Sequence, residues 1–141
     1  LIAARALGVA TDGARIKSDY TGGSTGIYLN SAGLEDQAVI LAAGTGSQRL
    51  FDPDCREDDW GDRMLLYGRV ACHNPNTSAE YRDKVMDGLW TLGFKRATAL
   101  LRANWLSVCR VAGELLRKSQ LNEAEIRLNT QGVRRRYTYA A

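Results

Sequence analysis

The chain has 141 residues, 45% of them hydrophobic, enough for one domain to bury a core without disulfide staples. Its 19 Lys and Arg against 16 Asp and Glu give a formal charge of +3, too small by itself to single out a nucleic acid or an anionic membrane as partner. Cys55, Cys72 and Cys109 form no C-x-x-C pair, which argues against a disulfide framework or a zinc ribbon and fits a reducing, cytoplasmic compartment.

No apolar run nears the roughly 18–20 residues of a membrane span, and the opening segment lacks the layout of a secretory signal. Residues 1–7 read as the end of a helix stopped at Gly8, and the start at Leu1 inside this alanine-rich stretch raises the expectation of further chain upstream. Short β-branched and apolar runs around Ala14 to Ser18 and Ser24 to Asn30, separated by the turn formers Asp19 to Gly23, predict a small hairpin. Near-helical spacing of Leu34, Ala38, Ile40, Leu41, Ala42 and Leu50 predicts one helix from Leu34 to Phe51, with a close-packed middle at Gly44 and Gly46.

The stretch from Phe51 to Asp62 is acidic and contains Pro53, so it reads as a loop leading into a helix from about Asp59 to Ala71. Thr77 and Glu80 have the spacing of a capping box, and helical character continues to about Lys118, with Gly88 and Gly93 as bend points and Trp90 and Trp105 in the core. Asn122 and Glu125 suggest the cap of a short last helix, followed by an irregular basic tail over residues 133–141. The fold class expected is mainly α (α+β): one helical domain over residues 1–132 with a small N-terminal hairpin or sheet.

Several segments, in order, resemble the peptidase domain of FtsH-type ATP-dependent zinc metalloproteases. An alanine-rich helix like Leu1 to Gly8 follows that family's His-Glu-x-x-His motif. Gly22-Gly23-Ser24-Thr25-Gly26-Ile27-Tyr28 is similar to its glycine-bearing strand. Ala43-Gly44 through Leu50 is similar to its A-G-x-x-A-E-x-L helix, with Gln48 where glutamate is usual. Phe94 to Leu101, Val111-Ala112, Leu115-Leu116 and Leu121 to Ile126 follow its closing helices. The resemblance spans residues 1 to 128.

It implies peptide-bond hydrolysis at a zinc site, a peptide or protein substrate, and Ser24, Thr25, Gly26, Ile27 and Tyr28 as the strand that holds it. It implies Asp59 as third zinc ligand, with Asp62 as the alternative, and would place the second motif histidine immediately before Leu1. A His-Glu-x-x-His motif supplies two ligands from one helix face and the general base. This sequence has one histidine, His73, so the chain as it stands is catalytically incomplete and no catalytic residue can be named in it. The alternative is a non-catalytic binding or oligomerisation module of the same fold, a homo-oligomer included. Asp59 also reads as a plain helix-start carboxylate. No G-x-x-x-x-G-K-[ST] loop is present to drive unfolding.

Three further groups read more simply. Cys72-His73 is a loop histidine beside a semi-buried cysteine rather than a metal pair. The acidic residues Asp52, Asp54, Glu57, Asp58, Asp59 and Asp62 lack the spacing of an EF-hand loop. Arg134, Arg135 and Arg136, with Tyr137 and Tyr139, read as a solvated tail rather than a nucleic-acid contact.

Overall fold

A computed structural model describes residues 1–55 and 59–134. Glu57 and Asp58 of the acidic stretch, and Arg135, Arg136, Tyr137 and Tyr139 of the tail, lie outside the described residues. The chain is mainly helical, with a small antiparallel sheet, and divides into two compact units: residues 1–31 with 100–141, and residues 32–99. Among the described residues, no helix is long and apolar enough to cross a membrane.

The first unit is built around the sheet. Helix α1 (Ile2–Ala6) ends before Gly8, which takes φ +75° as its sequence position suggests. Strand β1 (Thr11–Ile16) pairs with β2 (Gly23–Ile27), joined by a turn in which Asp19 Oδ1 accepts hydrogen bonds from the Thr21 amide and hydroxyl. The hairpin lies where the turn residues put it. β1 starts three residues before Ala14, however, and β2 stops at Ile27, because Tyr28 donates its amide to Ala10 and a 3-10 turn over Leu29–Ser31 follows.

A third strand, β3 (Gln120–Asn122), pairs antiparallel with β1 on its other side, giving the order β2-β1-β3. This strand is not evident from the sequence, because its extended backbone is defined by pairing with β1 rather than by composition. Helix α6 (Glu123–Asn129) grows directly out of it, and the anticipated Asn122/Glu125 capping box forms with both hydrogen bonds at 3.0 Å. Glu123 then ties the unit together: it accepts from Thr11 Oγ1 at 2.8 Å and pairs with Arg5 at 3.3 Å. Ile2, Ala4, Val9, Ala14, Leu121 and Ile126 are buried here.

The second unit contains α2 (Leu34–Phe51), with the limits expected from its spacing and with Glu35 and Asp36 favourably placed in the first turn. Helix α3 (Trp60–His73) follows, then α4 (Ala79–Ala103), whose residues up to 99 belong to this unit. Ser78, not Thr77, caps α4: its hydroxyl accepts the Tyr81 amide at 3.2 Å, while Thr77 donates to Asn74 O. Arg96 pairs with Glu35 at 2.7 Å, and Arg63 pairs with Asp87 at 2.9 Å while lying 5.2 Å from the Trp90 ring centre.

The helical run to Lys118 is in fact two helices, α4 and α5 (Trp105–Lys118), and it breaks at Asn104 rather than at Gly88 or Gly93. Asn104 is buried; its Nδ2 donates to Leu100 O, and its Oδ1 accepts the Arg134 amide. Trp90 is buried as expected and Trp105 partly so.

Candidate functional site

The two carboxylates considered as metal ligands stand one turn apart at the start of α3 and differ in environment. Asp59 occupies the position just before the helix, at φ −91° and ψ 8°, and its side chain makes no capping hydrogen bond. Asp62 lies in the first turn and is half-buried. Burial raises its carboxyl from the ordinary aspartate value, and the neighbouring Asp59 charge raises it further. A Cβ added at Gly44 of α2 would lie 3.9 Å from Asp62 Oδ2, so the carboxylate is directed towards the α2 backbone. Among the described residues, no hydrogen bond or ion pair reaches Asp62.

His73 is not in a loop: helix α3 runs on through it, and it is exposed on the last turn with Nδ1 2.9 Å from Arg69 O. Cys72 beside it is exposed, not semi-buried, because residues 72 and 73 both fall on the solvent side of the helix end. Among the described residues, no three His, Cys, Asp or Glu side chains form a group that could hold a metal ion.

The strand expected to hold a peptide, β2, is one of the two outer strands of the sheet. Among the described residues, the order β2-β1-β3 leaves one edge of β2 without a neighbouring strand. Lys17 donates to Gly22 O at 2.7 Å and Tyr28 donates to Ala10 O at 3.0 Å, so even-numbered residues of this segment turn their backbone groups towards β1. By alternation, the amides and carbonyls of Gly23, Thr25 and Ile27 point outward. Of the five residues anticipated for substrate, Ser24, Thr25, Gly26 and Ile27 lie within β2, and Tyr28 lies just beyond it. The strand itself carries no charge and no proline, two of the devices that protect an edge.

The open face of the sheet holds two further charged groups, Asp12 and Arg15. The register shifts between Thr11 and Gly13, so Asp12 and Gly13 both stand against Gly26, as in a β-bulge. The bulge carries the Asp12 carboxylate over the edge strand: a Cβ on Gly26 would meet Asp12 Oδ1 at 1.5 Å. Two residues along, Arg15 pairs with Ser24, and its Nε donates to Ser24 Oγ at 3.1 Å, which draws the guanidinium over β2 as well. Asp12, Arg15, Ser24, Gly26, Gln120 and Asn122 help line an open trough of about 440 Å³. The available signal was an Asp-Gly pair inside a strand, which suggests a bulge.

No protein-family model matches the chain, and no curated protein matches it.

Proposed function

We propose that the chain is a zinc-metallopeptidase-like domain of the FtsH type, which holds an extended peptide along the outer edge of β2 and contributes one carboxylate, Asp62, to a metal site. The observation that carries this reading is the half-buried Asp62, whose carboxylate forms no ion pair among the described residues and whose ionised form is disfavoured by burial and by Asp59. A carboxylate in that position costs stability unless a cation compensates it, and a divalent metal is such a cation. Asp62 is favoured for the ligand role by the direction of its carboxylate towards the α2 backbone, and Asp59, also partly buried, is the alternative.

The donor set fits zinc only in part. One carboxylate is present, whereas the two histidines and the glutamate base of a His-Glu-x-x-His motif are not in this sequence. With Asp62 as one of three ligands, a bound zinc would supply an activated water and a Lewis acid for the scissile carbonyl. The chain's own contribution is positioning. The outward amides and carbonyls at Gly23, Thr25 and Ile27 pair with a substrate backbone, and that pairing fixes the register of the peptide. The same edge also supports the second reading, a non-catalytic binding or oligomerisation module, because strand addition needs no metal.

Zinc content and cleavage of an unfolded casein substrate, measured on the native protein, separate the two. The peptidase reading expects about one zinc per chain, lost on Asp62→Ala, and cleavage abolished by a chelator. Zinc lost on Asp59→Ala instead would move the ligand to Asp59. Peptide binding that is lost on Ile27→Pro, with neither zinc nor cleavage, would leave the binding module.

A further inference from the structure

We propose that the β2 edge selects peptides by charge, preferring a basic residue followed at the next-but-one position by an acidic one, and that Asp12 and Arg15 read this pattern. The inference rests on the reading of β2 as a peptide-holding edge and names the peptide class that it takes.

The argument follows from the pleat. Ser24 and Gly26 turn their side-chain positions to the open face and their backbone groups to β1. A strand added antiparallel outside β2 therefore meets both residues in non-hydrogen-bonded pairs, the arrangement in which facing side chains come closest. Neither residue reads that neighbour itself, since Ser24 is small and Gly26 has no side chain. Their places are taken from behind by β1. The Arg15 guanidinium is held over Ser24 through its 3.1 Å hydrogen bond, and the Asp12 carboxylate occupies the space of a Gly26 Cβ. Both residues are exposed, and neither forms an ion pair among the described residues. The edge thus presents a cation and an anion at alternate positions of one face.

The direction of the added strand fixes the order of the pattern. In an antiparallel neighbour, the residue facing Gly26 precedes the residue facing Ser24. The first lies against Asp12 and is favoured as Lys or Arg; the second lies against Arg15 and is favoured as Asp or Glu. Antiparallel addition matches the rest of the sheet and forms the stronger ladder. Exposed cross-strand charge pairs have modest effects, so each match is worth about two- to fivefold in affinity, and the preference weakens with salt.

The test is fluorescence anisotropy on the full chain with short labelled valine-threonine peptides carrying lysine and glutamate at alternate positions, in the order Lys-x-Glu, in the order Glu-x-Lys, or with both replaced by threonine. Lys-x-Glu is expected to bind about tenfold tighter than Glu-x-Lys at low salt. Asp12→Asn and Arg15→Gln, both at exposed positions, are each expected to remove part of that ratio while leaving the uncharged peptide's affinity and the urea midpoint unchanged. Equal binding of both orders, or tighter binding of Glu-x-Lys, overturns the proposal while the peptide-holding edge stands. Binding of no peptide, or binding indifferent to Ile27→Pro in a folded variant, overturns the edge reading itself.

Discussion

Gly26 in the sheet and Gly93 in α4 are both places where a single methyl group has no room, yet the obstacle is of different kinds. At Gly93 an added Cβ would lie 2.7 Å from both the carbonyl carbon and the oxygen of Ala38 in α2, a backbone fixed by its own helix. At Gly26 the obstacle is Asp12 Oδ1, the far end of an exposed side chain that can rotate away. The first glycine lets two helices approach, so it serves stability. The second leaves space for a charge, so its conversion should register in recognition rather than in folding.

The largest expected effect comes from Gly93→Ala. Helix propensity alone would gain about 1 kcal/mol, but the overlap with Ala38 forces α2 and α4 apart, and overpacking of this kind costs about 1–3 kcal/mol. The expected net result is a destabilisation of about 1–2 kcal/mol in urea unfolding. Gly88 in the same helix is the control. It is exposed with nothing near a Cβ, so Gly88→Ala is expected to stabilise by about 0.5–1 kcal/mol. Stabilisation by both substitutions would remove the close approach at Gly93.

These two glycines also show what a sequence can and cannot convey. Both look like bend points by composition, whereas the helix break falls at Asn104, whose side chain is held by Leu100 and by the amide of Arg134, a partner 30 positions away. A long-range partner of that sort leaves no local trace. By contrast, α2 and the last capping box are local in origin, from apolar spacing, acidic first turns and an Asn-x-x-Glu pattern, and both were legible. The start of α4 lay between them: Thr77 and Ser78 are both competent caps, and the structure uses the second. At the candidate site, the acidic start of α3 and the strand at Ser24 to Ile27 could be read from residue types. The half-burial of Asp62 and the bulge that aims Asp12 depend on packing and register.

An intermediate effect is expected at Asp62, where a functional demand is set against folding. Its folded carboxyl titrates above the unfolded value of about 3.9, so without metal the ionised form is penalised by the fold. Stability of the chelator-treated protein therefore falls as pH rises from the unfolded value through the folded one. It then stays low. Asp62→Asn is expected to stabilise at neutral pH by less than about 1 kcal/mol, since solvent still reaches the group, and the gain should vanish near pH 4. A neutral-pH gain that persists in acid would point to packing rather than to charge.

Gly26→Ala is the smallest expected change in stability and the sharpest use of the comparison. An alanine in a strand recovers about 0.5–1 kcal/mol of the entropy that glycine loses on folding, and displacing an exposed aspartate offsets only part of it. The urea midpoint should therefore move little, and not in the direction of Gly93→Ala. The methyl group does, however, occupy the place of the Asp12 carboxylate over β2, so discrimination between Lys-x-Glu and Glu-x-Lys peptides should fall as it does in Asp12→Asn, although no charge has been removed. Retention of the full discrimination would show that Asp12 acts from elsewhere on the face. Its loss at constant stability would separate a glycine kept for recognition from one kept for packing.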